Sequence, residues 1–178
     1  MCLSLQKGET SFKKADEDIV CYKVLVNNKK GFIKSPYIGT PYRLGELKKD
    51  GKPVKKESVN AKYRAKYSLS RTEVTVESGV FHTFQFLEDA KKLAIHAFVN
   101  GYWGFLDGNM PIVVKCTIPK GTRYYNGLFG GILYGRYVCY GSKQLKVGEE
   151  ITYIPTEKDI EEHCPEHILE HLKKKCKK

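Results

Sequence analysis

Alternating apolar and polar positions mark most of this chain as β. The stretch from Asp18 to Val26, Asp-Ile-Val-Cys-Tyr-Lys-Val-Leu-Val, is rich in β-branched and aromatic residues. It runs into Asn27-Asn28-Lys29-Lys30-Gly31, a strong turn signal. Pro36, Gly39, Pro41 and Gly45 break up Phe32 to Leu47, which predicts loop with short strands. Asp50-Gly51-Lys52-Pro53 reads as a further turn, and strands are expected over Thr72–Val76 and Val80–Phe86.

The period then changes. Leu87, Ala90, Ala94, Ala97 and Phe98 fall on one helical face, and Asn100-Gly101 supplies a stop. Ile112 to Ile118 is a nearly continuous apolar strand closed by Pro119-Lys120-Gly121. After it come Tyr124-Tyr125, a turn expected at Asn126-Gly127, the run Ile132–Tyr140, and Ile151–Ile154. Pro155-Thr156 opens a last helix, with Thr156 as N-cap, Asp159 in the capping-box position, acidic residues at its start and lysines at its end. These elements predict an α+β fold: a mostly antiparallel β-sheet, one main packed helix and a C-terminal helical appendage. Residues 1–155 form the expected single domain, and 156–178 the helix and a Lys-rich tail.

Composition sharpens this picture in one respect. At 178 residues, 41% hydrophobic and 29% charged, the chain suits one globular domain with a real core, and is too apolar for a disordered one. No run of about 18 apolar residues offers a membrane span. No apolar leader follows Met1, so a cytoplasmic protein is expected. The formal charge of +11 is concentrated in two places. Residues 48–66 carry Lys48, Lys49, Lys52, Lys55, Lys56, Lys62, Arg64 and Lys66 against Asp50 and Glu57. The last six residues hold Lys173, Lys174, Lys175, Lys177 and Lys178, and the remainder is formally neutral. Such clusters attract phosphate or anionic surfaces through local potential and counterion release. Lys outnumbers Arg 26 to 5. That bias disfavours base readout, which leans on the planar guanidinium fork. Solvated lysines on a loop and a tail explain the same composition without a partner.

Candidate chemistry is sparser. Cys21, Cys116 and Cys139 lie in apolar runs, where a reduced thiol behaves as a small hydrophobe. Cys2 would become an N-terminal nucleophile if Met1 were removed. On one continuous helix His163, His167 and His171 would share a face suited to zinc. However, Pro165 interrupts that helix, the Ile160, Cys164, Ile168, Leu172 stripe reads as an ordinary buried face, and no Cys-x-x-Cys pair occurs. Gly127, Gly130, Gly131 and Gly135 resemble a phosphate loop in composition alone, and read better as glycines in strands. His82, on a strand that leads into the helix, is a candidate acid/base or anion-contacting group. The aromatics around Trp103 and at Tyr124-Tyr125 either stack on a base or fill the core. No cofactor is expected.

Several segments taken together carry a resemblance: the opening Met-Cys-Leu, the Asp18–Leu25 strand, Ser35-Pro36-Tyr37, Phe81-His82-Thr83-Phe84 with Leu87–Lys91, and Cys116–Tyr125. The combination resembles small uncharacterised proteins of bacteriophages and gut bacteria, over most of residues 1–155. That resemblance implies an accessory protein of phage or mobile-element type, in the host cytoplasm if phage-encoded, and no mechanism. A weaker likeness is to ADP-ribosyltransferase folds. It would make His82, Tyr125 and Glu149 or Glu150 catalytic in His-Tyr-Glu order, although the Ser-Thr-Ser element of those enzymes is absent. The leading expectation is a non-enzymatic binder of an anionic partner, nucleic acid or a nucleotide-like ligand. A small nucleotide-using enzyme and a virion or assembly component are the alternatives, with the oligomeric state left open.

Overall fold

The structure is a computed structural model that describes residues 4–5, 13–28, 30–36, 39–49, 80–100, 109–131 and 135–163. In chain order these form β1 (Ser4–Leu5), β2 (Lys13–Lys14), β3 (Ile19–Asn27), β4 (Ile33–Lys34), β5 (Pro41–Tyr42), β6 (Leu47–Lys49) and β7 (Phe81–Phe84). There follow α1 (Leu87–Val99), β8 (Met110–Ile118), β9 (Arg123–Gly131), β10 (Gly135–Ser142), β11 (Gln144–Tyr153) and α2 (Glu157–His163). The strands make one sheet in the order β1-β9-β10-β7-β3-β8-β11-β6, with β2 added to β9 and the β4–β5 hairpin attached to β3. Every pairing among the described residues is antiparallel. The expected α+β class with a mostly antiparallel sheet is therefore observed. The strand expected over Thr72–Val76 lies outside the described residues.

Strand alternation sorts the side chains onto two faces. On one, Cys21 and Leu25 of β3, Ile112, Val114, Cys116 and Ile118 of β8, Phe81 of β7, Tyr140 of β10, and Leu145 and Val147 of β11 form a continuous buried cluster, joined by Tyr42 of β5. On the other, Val24, Phe84, Val113 and Cys139 receive Ala90, Leu93 and Ala94 of α1. The first cluster is buried without any described helix over it, and the connection between β10 and β11 explains why. Only Lys143 separates these two strands, yet β7, β3 and β8 lie between them in the sheet. A one-residue link can span that gap only if the sheet curls until its halves face each other, as in a partly closed barrel. The first cluster is thus the interior of the curl, and α1 lies outside it.

The turn expected at Asn126-Gly127 is not made. Both residues are mid-strand in β9, with Gly127 paired to Cys139 on one side and Leu5 on the other, and Asn126 paired to Tyr140. Pairing along two edges outweighs a local turn preference. The turn before β9 falls instead at Pro119–Thr122, where Thr122 N–H donates to Pro119 O and Gly121 takes a φ of 79°. The second helix starts where its cap does: Thr156 N–H donates to Asp159 Oδ2 at 2.8 Å, and Asp159 N–H to Thr156 Oγ1 at 3.2 Å. Ile160 of α2 then sits against Ile95 and Val99 of α1.

Candidate functional site

The basic segment begins on β6, the last strand of the sheet order, which pairs with β11 through Leu47↔Lys146, Lys48↔Leu145 and Lys49↔Gln144. Leu145 points into the interior, so Lys48 opposite it also turns inward. Its ammonium lies 4.8 Å from the centre of the Tyr42 ring and 3.3 Å from Glu46 Oε1. Lys48 is therefore a held structural cation. Lys49 and Lys146 face outward, and Lys115 of β8 does the same between inward Val114 and Cys116. Lys146 pairs with Thr117, two residues beyond Lys115, so Lys49, Lys146 and Lys115 form a diagonal across β6, β11 and β8. Diagonal neighbours stand roughly 7–8 Å apart. Among the described residues no ion pair ties any of the three. The same outer face exposes Val20 and Leu47, at 46% and 49%. Lys52, Lys55, Lys56, Lys62, Arg64, Lys66, Lys173, Lys174 and Lys175 lie outside the described residues.

The structure brings two of the expected catalytic residues together and separates the others. His82 and Tyr125 both oppose Gly141, one from each side, so they flank a residue with no side chain. Tyr125 packs with the α1-facing cluster, and alternation puts His82 on that same face with Phe84. The His82 Nδ1 atom is buried without a hydrogen-bond partner, and burial, then the Lys23 charge, lower its pKa to about 4. Glu149 and Glu150 lie on β11, with β3 and β8 between them and β7. They are exposed at an irregularity between Val147 and Ile151, where Glu149 borders Gly45. His163 ends α2, His167 and His171 lie outside the described residues, and so does Cys2. Among the described residues no group of three His, Cys, Asp or Glu could hold a metal ion, and no helix is long and apolar enough to cross a membrane.

A further constellation surrounds Lys23, a residue that carried no functional signal in the sequence. β3 and β7 pair only at Tyr22↔Phe84. Continuing that register sets Lys23 opposite Thr83, Thr83 is opposite Tyr140, and Tyr140 is opposite Asn126. One polar row thus crosses four strands inside the curl. Lys23 is 7% exposed; its ammonium donates to His82 O at 2.7 Å and lies 5.4 Å from the Tyr42 ring centre. Burial lowers its pKa to about 8, offset in part by Cys116, Cys21 and Cys139. Burial likewise raises the Cys21 thiol to about 12 and the Cys116 thiol to about 11, which keeps both protonated and inert. No protein-family model, curated protein or solved structure matches the chain.

Proposed function

We propose that this protein is a non-enzymatic binder of an anionic partner, contacting the phosphate backbone of nucleic acid through the basic segment that starts on β6. The observation that supports this reading is the Lys49–Lys146–Lys115 diagonal, three exposed lysines without ion pairs on the outer face of the sheet. It adjoins the strand from which the cluster at residues 50–66 departs. Lysine point charges suit backbone contact without base selection. The setting this reading fits is an accessory protein of phage or mobile-element type.

Anisotropy of a labelled single-stranded oligonucleotide, titrated between 50 and 200 mM salt, tests the reading. Affinity is expected to fall steeply with salt. The combined variant Lys49→Gln, Lys115→Gln, Lys146→Gln is expected to lose about 2 units of the log–log salt slope, since each single-strand phosphate contact contributes about 0.7. An unchanged slope removes the sheet face from the contact, and no binding by the parent protein overturns the reading. No specific observation favours the ADP-ribosyltransferase-like alternative, whose glutamates lie on β11 with two strands between it and the histidine's strand.

A further inference from the structure

The Lys23 row has more polar capacity than the chain satisfies. An ammonium offers three donors, and one is used, on the His82 carbonyl. The hydroxyl oxygen of Thr83 is buried with only the Cys21 thiol as a partner, and the Oδ1 of Asn126 is buried with none. The Cys21 thiol lies beside Thr83 but is a weak donor and acceptor. Unsatisfied buried polar atoms are uncommon, and three polar groups of one row, one orphaned, one met only by a thiol and one under-used, call for something to meet them. The row also lacks a counter-charge. Among the described residues no carboxylate faces Lys23; its titratable neighbours are the thiols of Cys116, Cys21 and Cys139, the Tyr42 ring and His82. Taking an ammonium out of water costs several kcal/mol unless an opposite charge or full hydrogen bonding compensates.

We propose that the interior of the curled sheet, at Lys23 and Thr83, is a binding seat for a small oxyanion, the carboxylate or phosphate group of a small ligand. Lys23 supplies the positive charge and two free donors. Thr83, on the neighbouring strand β7, supplies a hydroxyl that rotates to donate. Access is built into the fold at two points. β3 and β7 make no backbone pair beyond Tyr22↔Phe84, so beside the seat the Lys23 bond to the His82 carbonyl is what joins them. Tyr42, which covers Lys23, belongs to a hairpin joined to β3 by two pairs, Val26↔Lys34 and Asn27↔Ile33, and tied to β11 beyond it by the Gly45 and Glu46 backbone bonds. Elements with so few ladder contacts open at low free-energy cost. This seat is separate from the lysines of the outer face, because it lies inside the curl and they lie outside it.

Sodium acetate and inorganic phosphate are the probes, each compared with sodium chloride at equal ionic strength. Thermal unfolding and the NMR titration of Lys23, through labelled lysine side chains, are the readouts for the full chain. The expected result is a melting temperature that rises with one of the two oxyanions and a Lys23 pKa that moves up as it binds. The arm that responds assigns carboxylate or phosphate chemistry. Thr83→Val, which keeps shape and removes the hydroxyl, is expected to weaken that oxyanion roughly tenfold. The Lys49→Gln, Lys115→Gln, Lys146→Gln variant is expected to retain the effect, so failure of the outer face and failure of this seat are distinguishable. If neither oxyanion moves the Lys23 titration, or if Lys23→Met keeps the thermal response, the seat is a hydrated or empty polar row and the proposal falls.

Discussion

The Lys23 ammonium donates to the carbonyl of His82 at 2.7 Å, and so closes the sheet with a side chain where β3 and β7 stop pairing with backbone. Burial gives this bond a pH signature. Lys23 has its pKa lowered from 10.5 to about 8 in the folded protein. Between those values the unfolded chain holds a proton that the folded chain has released, so stability increases as pH rises. The thiols act in the opposite sense. Cys21 and Cys116 are raised from 9.0 to about 12 and about 11, so stability is lost as pH climbs above 9. Urea unfolding is therefore expected to show a net gain of only about a third of a kcal/mol from pH 8 to 9, where the two thiols offset most of the Lys23 contribution of about 1 kcal/mol, and a decline above it. Lys23→Met should remove the gain and keep the decline. A gain that survives in Lys23→Met would mean that Lys23 is not the titrating group.

His82 sets the acid side. Burial and the nearby Lys23 charge lower its pKa from 6.5 to about 4. The folded state thus disfavours the imidazolium, and stability present above pH 6.5 is lost as pH falls toward 4, by up to about 3 kcal/mol. Melting temperatures at pH 7 and pH 4.5 check this. His82→Gln is expected to narrow the gap between them, and an equal gap in both proteins would count against a buried neutral histidine.

The sequence makes the local elements legible and hides the site. α1 spans Leu87–Val99, as its apolar spacing predicts, and the Thr156–Asp159 cap lies where its residue types indicate. β3 and β8 follow from their β-branched runs. What local pattern cannot carry is long-range pairing. Asn126-Gly127 has strong turn chemistry, and only the neighbours on both edges of β9 decide that it stays extended. Lys23 sits in an apolar strand as one charged residue, indistinguishable in sequence from an outward-facing lysine until β8 and the Tyr42 hairpin fix the buried face. The clustering of lysines that begins at β6 does not by itself tell inward Lys48 from outward Lys49. Period-two alternation fixes relative facing and leaves the absolute choice to the fold.

Gly148 is a glycine whose side-chain hydrogen cannot be replaced without a clash. A Cβ there would run into the carbonyl oxygen of Lys115, a backbone atom that cannot step aside. The same residue accepts a hydrogen bond from Gly45 N–H at 2.9 Å, anchoring the loop before β6. Gly148→Ala is expected to cost more than about 2 kcal/mol in urea unfolding, as for a backbone overpacking lesion. Gly45, at φ 76° with only the flexible Glu149 side chain near its Cβ position, should cost about 1 kcal/mol as alanine. Equal effects at the two positions would contradict the close approach of β11 to β8.

Lys48 and Lys49 are adjacent in sequence and opposite in role. Lys48 rests on the Tyr42 ring and pairs with Glu46, whose Oε1 also accepts from the Arg43 N–H at 2.6 Å, so its charge is already engaged. Removing it should cost stability, about 1 kcal/mol from the lost cation–π contact and ion pair together. It should leave the salt dependence of oligonucleotide binding unchanged. Lys49 is exposed and makes no ion pair among the described residues, so Lys49→Gln should leave the melting temperature within a degree or two. It should reduce the salt slope by about 0.7, one phosphate contact. Measuring stability and salt slope on both single variants separates the roles, because each substitution moves one readout and spares the other. If Lys48→Gln lowers the slope as much as Lys49→Gln does, the lysines act as an undifferentiated cloud of charge, and the facing of β6 has no part in binding.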